Sequence, residues 1–163
     1  MRQLRRLTLL AFASGALVLP SCSSDTPTIP DVARAFIQLS VEPNPIQGSQ
    51  NSLTGVVSVG YKVIITETAG LGGEVSFVSA SVFDPETGGQ VALNYFDSAD
   101  LVVFVGSKRV EPGGTLTVPQ TTSYVLPDLR VAATLTVAVQ MKDDRSNLLN
   151  VSLLVPIQAP QAQ

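Results

Sequence analysis

From Phe36 to Ile157 the apolar residues recur at every second position, and no run past residue 35 recurs at a helical interval. That period limits the chain more than any other feature. Val57, Val59, Tyr61, Val63 and Ile65 alternate with small or polar residues, Ile64 excepted. Successive side chains of a strand point to opposite faces, so this run reads as a strand with one buried face. Leu135, Val137, Val139 and Met141 repeat the pattern, as do Leu149, Val151, Leu153, Val155 and Ile157. These two runs flank the polar "KDDRSN" and are predicted to form an antiparallel hairpin.

Further strands are expected at 36–41, 74–83, 90–96, 101–106, 115–119 and 122–126. In 74–83 the apolar phase slips: Val75 and Phe77 share one face, and Val78, Ala80 and Val82 the other. A bulge near Phe77 would restore the register. The connectors "EPNP", "AGLGG", "DPETGG", "FDSAD", "EPGG" and "LPD" are rich in turn residues. No capped helix is expected past residue 35, beyond one turn in "DVARAF". Eight or nine short strands in about 120 residues predict an all-β chain, an antiparallel β-sandwich of Greek-key, immunoglobulin-like order. A small closed barrel is the alternative. The Cys…Trp…Cys pattern of true immunoglobulin domains is absent, so Val, Leu, Ile and Phe must hold the core.

The first residues follow another logic. "MRQLRR" is positive, and "LTLLAFASGALVL" follows with thirteen uncharged residues. As a helix they would rise about 20 Å, short of the ~30 Å hydrocarbon layer, so they read as the n- and h-regions of a secretory signal. Leu19-Pro20-Ser21-Cys22 then resembles the lipobox of bacterial lipoproteins, with leucine three residues before the cysteine and a small residue directly before it. Pro20 departs from the usual alanine, serine or threonine. The resemblance implies diacylglycerol on the Cys22 sulfur, cleavage before Cys22 and acylation of the new amino group. Two or more acyl chains suffice for stable anchoring. Ser23, in place of the aspartate that retains such proteins at the inner membrane, implies the outer membrane in a Gram-negative cell. On this reading 1–21 is the signal peptide, forming a signal-peptide helix. Residues 22–35 are the lipidated cysteine and a flexible tether stiffened by Pro27 and Pro30, 36–157 is the sandwich, and 158–163 a disordered tail.

The folded region also resembles the Ig-like and CARDB-type adhesion modules of bacterial surface proteins. The resemblance rests on Glu42-Pro43-Asn44-Pro45 after the first strand, Tyr61 to Thr68 in a long second strand, and Glu111-Pro112-Gly113-Gly114 before "TLTV". It implies a sandwich and, more loosely, a binding or adhesive role.

Composition restricts the chemistry. The chain has no histidine and no tryptophan, which removes the commonest general base and the commonest metal ligand. Cys22 is the only cysteine, with no histidine to activate it as a nucleophile. From residue 22 onward 7 basic residues face 13 acidic ones, a net of −6. With no basic stripe, nucleic acid is excluded as a partner on electrostatic grounds. The acidic pairs Asp84/Glu86, Asp97/Asp100 and Asp143/Asp144 read as solvated turns, with a weak cation site as the alternative. No metal or cofactor is expected.

Two features bear on binding. "LVVFV" and "LLVPI" are apolar on both faces, reading either as central strands or as an exposed face for another envelope protein. The loop "VGSKRVEPGG" places Lys108 and Arg109 together on an acidic protein, making them the candidate binding residues. The expected function is a non-catalytic, lipid-anchored cell-envelope protein, its Ig-like module serving binding, adhesion or scaffolding. An envelope protease inhibitor or chaperone-like module, acting through a loop or sheet edge, is the alternative.

Overall fold

The computed structural model describes residues 33–159. The expected signal peptide, Cys22 and residues 22–32 of the expected tether lie outside the described residues, as do 160–163. The strands are β1 (Ile37–Glu42), β2 (Ile46–Gln47), β3 (Ser49–Gln50), β4 (Val57–Glu67), β5 (Gly73–Phe83), β6 (Gln90–Asp97), β7 (Arg109–Val110), β8 (Thr115–Tyr124), β9 (Ala133–Asp143) and β10 (Leu148–Gln158). Among the described residues one helix, α1 (Ser98–Val105), and a 3-10 turn at Pro127–Leu129 complete the order.

The strands form an immunoglobulin-like sandwich of two sheets. In the first, β4 is central, with β8 on one side and β1 and β3 on the other. In the second the order is β2-β10-β9-β5-β6, and β7 pairs with β5 beyond the end of β6. All pairs are antiparallel except β2 with β10. The N-terminal segment thus serves both sheets. It pairs with β4 as β1, crosses at Glu42-Pro43-Asn44-Pro45 through two cis prolyl bonds, and pairs with β10 as β2.

The alternation seen in the sequence is the origin of the core. Val57, Val59, Tyr61, Val63 and Ile65 of β4 are all buried and face Val78, Val82, Leu135 and Val137 of the other sheet. Each such aliphatic side chain stabilises the fold by about 1.5–3 kcal/mol relative to exposure. The hairpin around "KDDRSN" forms as expected, with Leu149 opposite Met141 and Val155 opposite Leu135. The register of β5 against β9 shifts between Val75 and Phe77, where the phase slip predicts a bulge. Gly73 cannot carry a side chain, because a Cβ there would lie 2.6 Å from the Lys142 carbonyl oxygen.

Three expectations are corrected. The runs 115–119 and 122–126 are one strand, β8, which continues through Pro119. Proline cannot donate to a ladder, but β8 is an edge strand and pairs only with β4 over these residues, so a free edge receives the missing N–H. The residues of "DVARAF" within the described region form no helical turn, and β1 starts directly at Ile37. The third concerns "LVVFVG", which is not a strand but the body of α1. Asp97 caps its start by accepting from Ala99 N at 2.7 Å and Asp100 N at 2.9 Å, and Asp100 returns the bond to Asp97 N. Gly106, at φ 85°, ends it in the left-handed region. The capping box outweighs the β-propensity of three valines and a phenylalanine.

Candidate functional site

Two of the acidic residues read as solvated turns, Asp84 and Asp143, are buried structural clamps, and Glu67, which that reading did not include, is a third. Glu67, at the end of β4, is 1% exposed. One of its carboxylate oxygens accepts from Ala69 N (2.8 Å) and Phe36 N (3.2 Å), the other from Gly70 N (2.8 Å), Gly113 N (2.9 Å) and Leu71 N (3.1 Å). Burial alone would push this carboxyl up. The donors led by Gly113, Ala69, Phe36 and Gly70 outweigh it and hold the group below its usual range. Asp143, 4% exposed, accepts from Asn147 N, Asn147 Nδ2, Arg145 N and Ala35 N. It is lowered in the same way, against its own burial. Asp84, 2% exposed, accepts from Glu86 N at 3.0 Å and from the Arg130 guanidinium at 3.1 and 3.3 Å. Those two partners, in that order, depress it. Asp97 and Asp100 are used by the helix cap. Among the described residues no three acidic, histidine or cysteine side chains gather as a metal would require.

Lys108 and Arg109 stand together after α1, as the sequence placed them, and both are paired within the chain. Lys108 Nζ lies 2.8 Å from Glu74 Oε2. Arg109 holds Asp144 in a two-pronged contact, each nitrogen 2.9 Å from its oxygen, and places Nε 3.1 Å from Glu111 Oε1. The contact raises the guanidinium further above its ordinary range and lowers Asp144. It ties the α1–β7 connection to the β9–β10 turn. A ligand using these cations would have to displace the protein's own carboxylates.

The structure exposes apolar residues where sequence reasoning placed a strand. On α1 only Leu101 is fully buried, plugging the core, while Val102 is half-exposed, Val103 is 75% exposed and Phe104 67%. Phe104 meets Phe96 of β6 edge-on, with ring centroids 5.8 Å apart. Nearby on β6, Leu93 and Tyr95 are 54% and 56% exposed, and Tyr95 stacks on Phe77 at 5.5 Å. The signal that finds this helix is local: Asp97 and Asp100 at capping-box spacing, with Gly106 closing the run. "LLVPI" is divided between faces, with Leu154 exposed and Val155 and Ile157 buried.

Two polar features complete the surface. A shallow cleft at the opposite end is lined by Ser49, Gln50, Asn51, Thr54 and Ser58 with Val56, and carries no charge. Inside the sandwich, Tyr61 Oη donates to Gln120 Oε1 at 3.0 Å and lies 2.9 Å from Thr122 Oγ1, while Asn94 Nδ2 donates to Thr122 Oγ1 and to the Thr121 carbonyl. Among the described residues no helix is long and apolar enough to cross a membrane.

No protein-family model matches the chain, and no curated protein does. Solved structures do match it in fold. A Bordetella pertussis protein assigned as ApaA superposes with a TM-score of 0.60 at 13% identity, covering 78% of this chain and 97% of that one. An X-ray structure of a Northeast Structural Genomics Consortium target superposes at 0.58 and 12% identity, covering 76% of this chain and 87% of that one. At such identities the likeness is one of fold alone.

Proposed function

We propose that this chain is a non-catalytic, lipid-anchored cell-envelope module whose Ig-like sandwich binds or scaffolds another envelope protein. The observation that carries the reading is α1, a capped helix that presents Val102, Val103 and Phe104 to solvent instead of burying them. Adjacent exposed large apolar residues on a soluble domain mark an interaction surface. Leu19-Pro20-Ser21-Cys22 after a positive n-region supports anchoring through lipid on Cys22, on the outer membrane where the cell has one. Two measurements test the reading. Mass spectrometry of the membrane fraction should find a di- or triacylated Cys22 peptide, and intact soluble protein retaining Met1 would overturn the anchor. A photo-crosslinker at Val103 should trap one envelope protein, and the adduct should vanish with Phe104→Asp. No adduct would overturn the binding surface.

A second reading, an envelope protease inhibitor, has one observation in its favour. Asp128 and Leu129 both adopt the left-handed region at φ 56°, with the Leu129 side chain exposed. The backbone beneath is held by Gln50 Nε2, which donates to the Leu129 carbonyl at 2.9 Å, and by the Arg130–Asp84 pair. A side chain held out on a pinned backbone is what a loop inhibitor presents. A stoichiometric protease complex lost with Leu129→Gly would favour this reading.

A further inference from the structure

The edges of the sandwich are not equally protected. An unpaired strand edge invites pairing with another strand, and proteins blunt such edges with proline, charge, bulges or cover. Edge strand β8 contains Pro119, and β10 contains Pro156 and is covered by β2 at Ile157 and Gln158. Edge strand β1 has only six residues and runs into Glu42-Pro43. Strand β6 has one such device, a bulge at Val91 where its register against β5 shifts, and none from Ala92 to Phe96. From Val91 to Phe96 it carries no proline, glycine or charge. Among the described residues it ends its sheet, with no strand but β5 paired to it. Its outward side chains Leu93 and Tyr95 are more than half exposed. Asn94, on the inward face, donates to β8 and pins the strand in place. From Ala92 to Phe96 the edge is therefore uncharged, largely apolar and pre-organised.

We propose that a second copy of this chain pairs antiparallel along β6, about a two-fold axis at Asn94, to make one sheet continuous across both copies. The case for a second copy is the self-complementarity of the strand. A two-fold pairing at Asn94 sets Leu93 of each copy opposite Tyr95 of the other, on the same outward face. It sets Ala92 opposite Phe96, small against large, on the inward face. No charged residue lies between Ala92 and Phe96, so no like charges face each other across this segment on a chain that is otherwise net acidic. The outward pairs extend the Tyr95–Phe77 stack into an apolar strip crossing the junction. This contact does not involve Cys22, and its outward residues Leu93 and Tyr95 belong to β6 and not to α1, so substitutions at those two positions test it separately from the anchor and from Val103.

The test uses the full chain purified in detergent. Two differently tagged versions, Leu93→Cys and Tyr95→Cys, are co-expressed and oxidised. Directly opposed residues of an antiparallel pair have Cα atoms about 4.5–5.5 Å apart, within disulfide range. The mixed pair should crosslink. Each variant alone should not, because identical positions are then diagonal neighbours at roughly 7–8 Å. By light scattering, the unmodified chain should have twice the monomer mass, Tyr95→Lys should halve it, and Leu154→Lys on β10 should leave it unchanged. A monomer at about 100 μM, or equal crosslinking by the single-variant controls, would overturn the proposal. So would capture of β6 by a strand of another protein while the chain alone stays monomeric. The crosslinking result does not depend on whether Tyr95→Lys folds.

Discussion

The carboxylate of Asp143 accepts the backbone N–H of Ala35 at 3.2 Å, joining residues 108 apart in sequence. Glu67 takes the next N–H, that of Phe36, also at 3.2 Å. The point where the chain enters the sandwich is thus gripped by two buried carboxylates reaching from the ends of two strands. Each carboxylate also closes a local turn: Glu67 closes the β4–β5 loop, and Asp143 the β9–β10 hairpin. One charged group with several backbone donors replaces separate caps for three loops.

Removing the Glu67 carboxylate should therefore cost more than one loop. Its five backbone donors lose their acceptor together, and hydrogen bonds to a charged group contribute roughly 1.5–3 kcal/mol each before relaxation and water entry. Glu67→Ala is expected to destabilise by about 3 kcal/mol or more. Glu67→Gln, which keeps one acceptor oxygen, should lose less. Denaturant unfolding of the three proteins checks this ordering, and equal midpoints for all three would refute the clamp.

The same clamps set the acid limit. Glu67, Asp84 and Asp143 are all held below the ordinary carboxylate range in the folded protein, so the unfolded chain binds more protons at low pH. Their contribution is fully present above the unfolded values near 4, and it is lost as the pH falls through the depressed folded values. With no histidine in the chain, no side chain with an ordinary value titrates between about pH 6 and 8. Tm should be nearly flat across that range and fall steadily below about pH 4.5. A Tm that changes little down to pH 2.5 would contradict the assigned directions.

The alkaline side depends on two tyrosines. Tyr124 is pushed up to about 12 by burial, and burial also raises Tyr61, partly opposed by its bond to Thr122. A raised folded value means a contribution present below the unfolded value near 10, and lost as the pH rises through the folded one. Tyrosinate absorbance from these two side chains should appear only as the fold opens, together with loss of β-sheet circular dichroism. Full ionisation near pH 10 with intact circular dichroism would show that they are not buried.

Much of this architecture could be read in advance where one period governed a run. The alternation in β4 and β9 put the correct residues in the core, that in β10 did so for Val155 and Ile157 while Leu149, Val151 and Leu153 are only partly buried, and the phase slip at Phe77 located the bulge. The reading failed where local chemistry outweighed side-chain propensity. "LVVFV" has the composition of a strand, yet Asp97, Asp100 and Gly106 set its ends as a helix. Pro119 suggested a break, but a proline on a free edge breaks nothing. The acids were assigned to solvent because a sequence shows their charge and not the backbone donors that surround them. Lys108 and Arg109 were found as neighbours, while their partners Glu74 and Asp144 lie 34 and 35 residues away and come close only through the pairing of β5 with β7 and β9.

The helix α1 offers the clearest separation of stability from binding. Leu101 is fully buried, so Leu101→Ala should cost about 3 kcal/mol through lost contacts and a residual cavity. Val103 is 75% exposed, so Val103→Asp should change stability by less than about 1 kcal/mol. It should nonetheless abolish capture of the envelope partner, because a charge on the apolar face must be desolvated when the partner covers it. Asp97→Ala removes two bonds from the helix start and should cost about 1 kcal/mol, weakening capture only through a frayed helix. Thermal melts read beside crosslinking yield at a neighbouring α1 position distinguish the three effects. Unchanged capture by Val103→Asp at full stability would remove α1 from the binding surface.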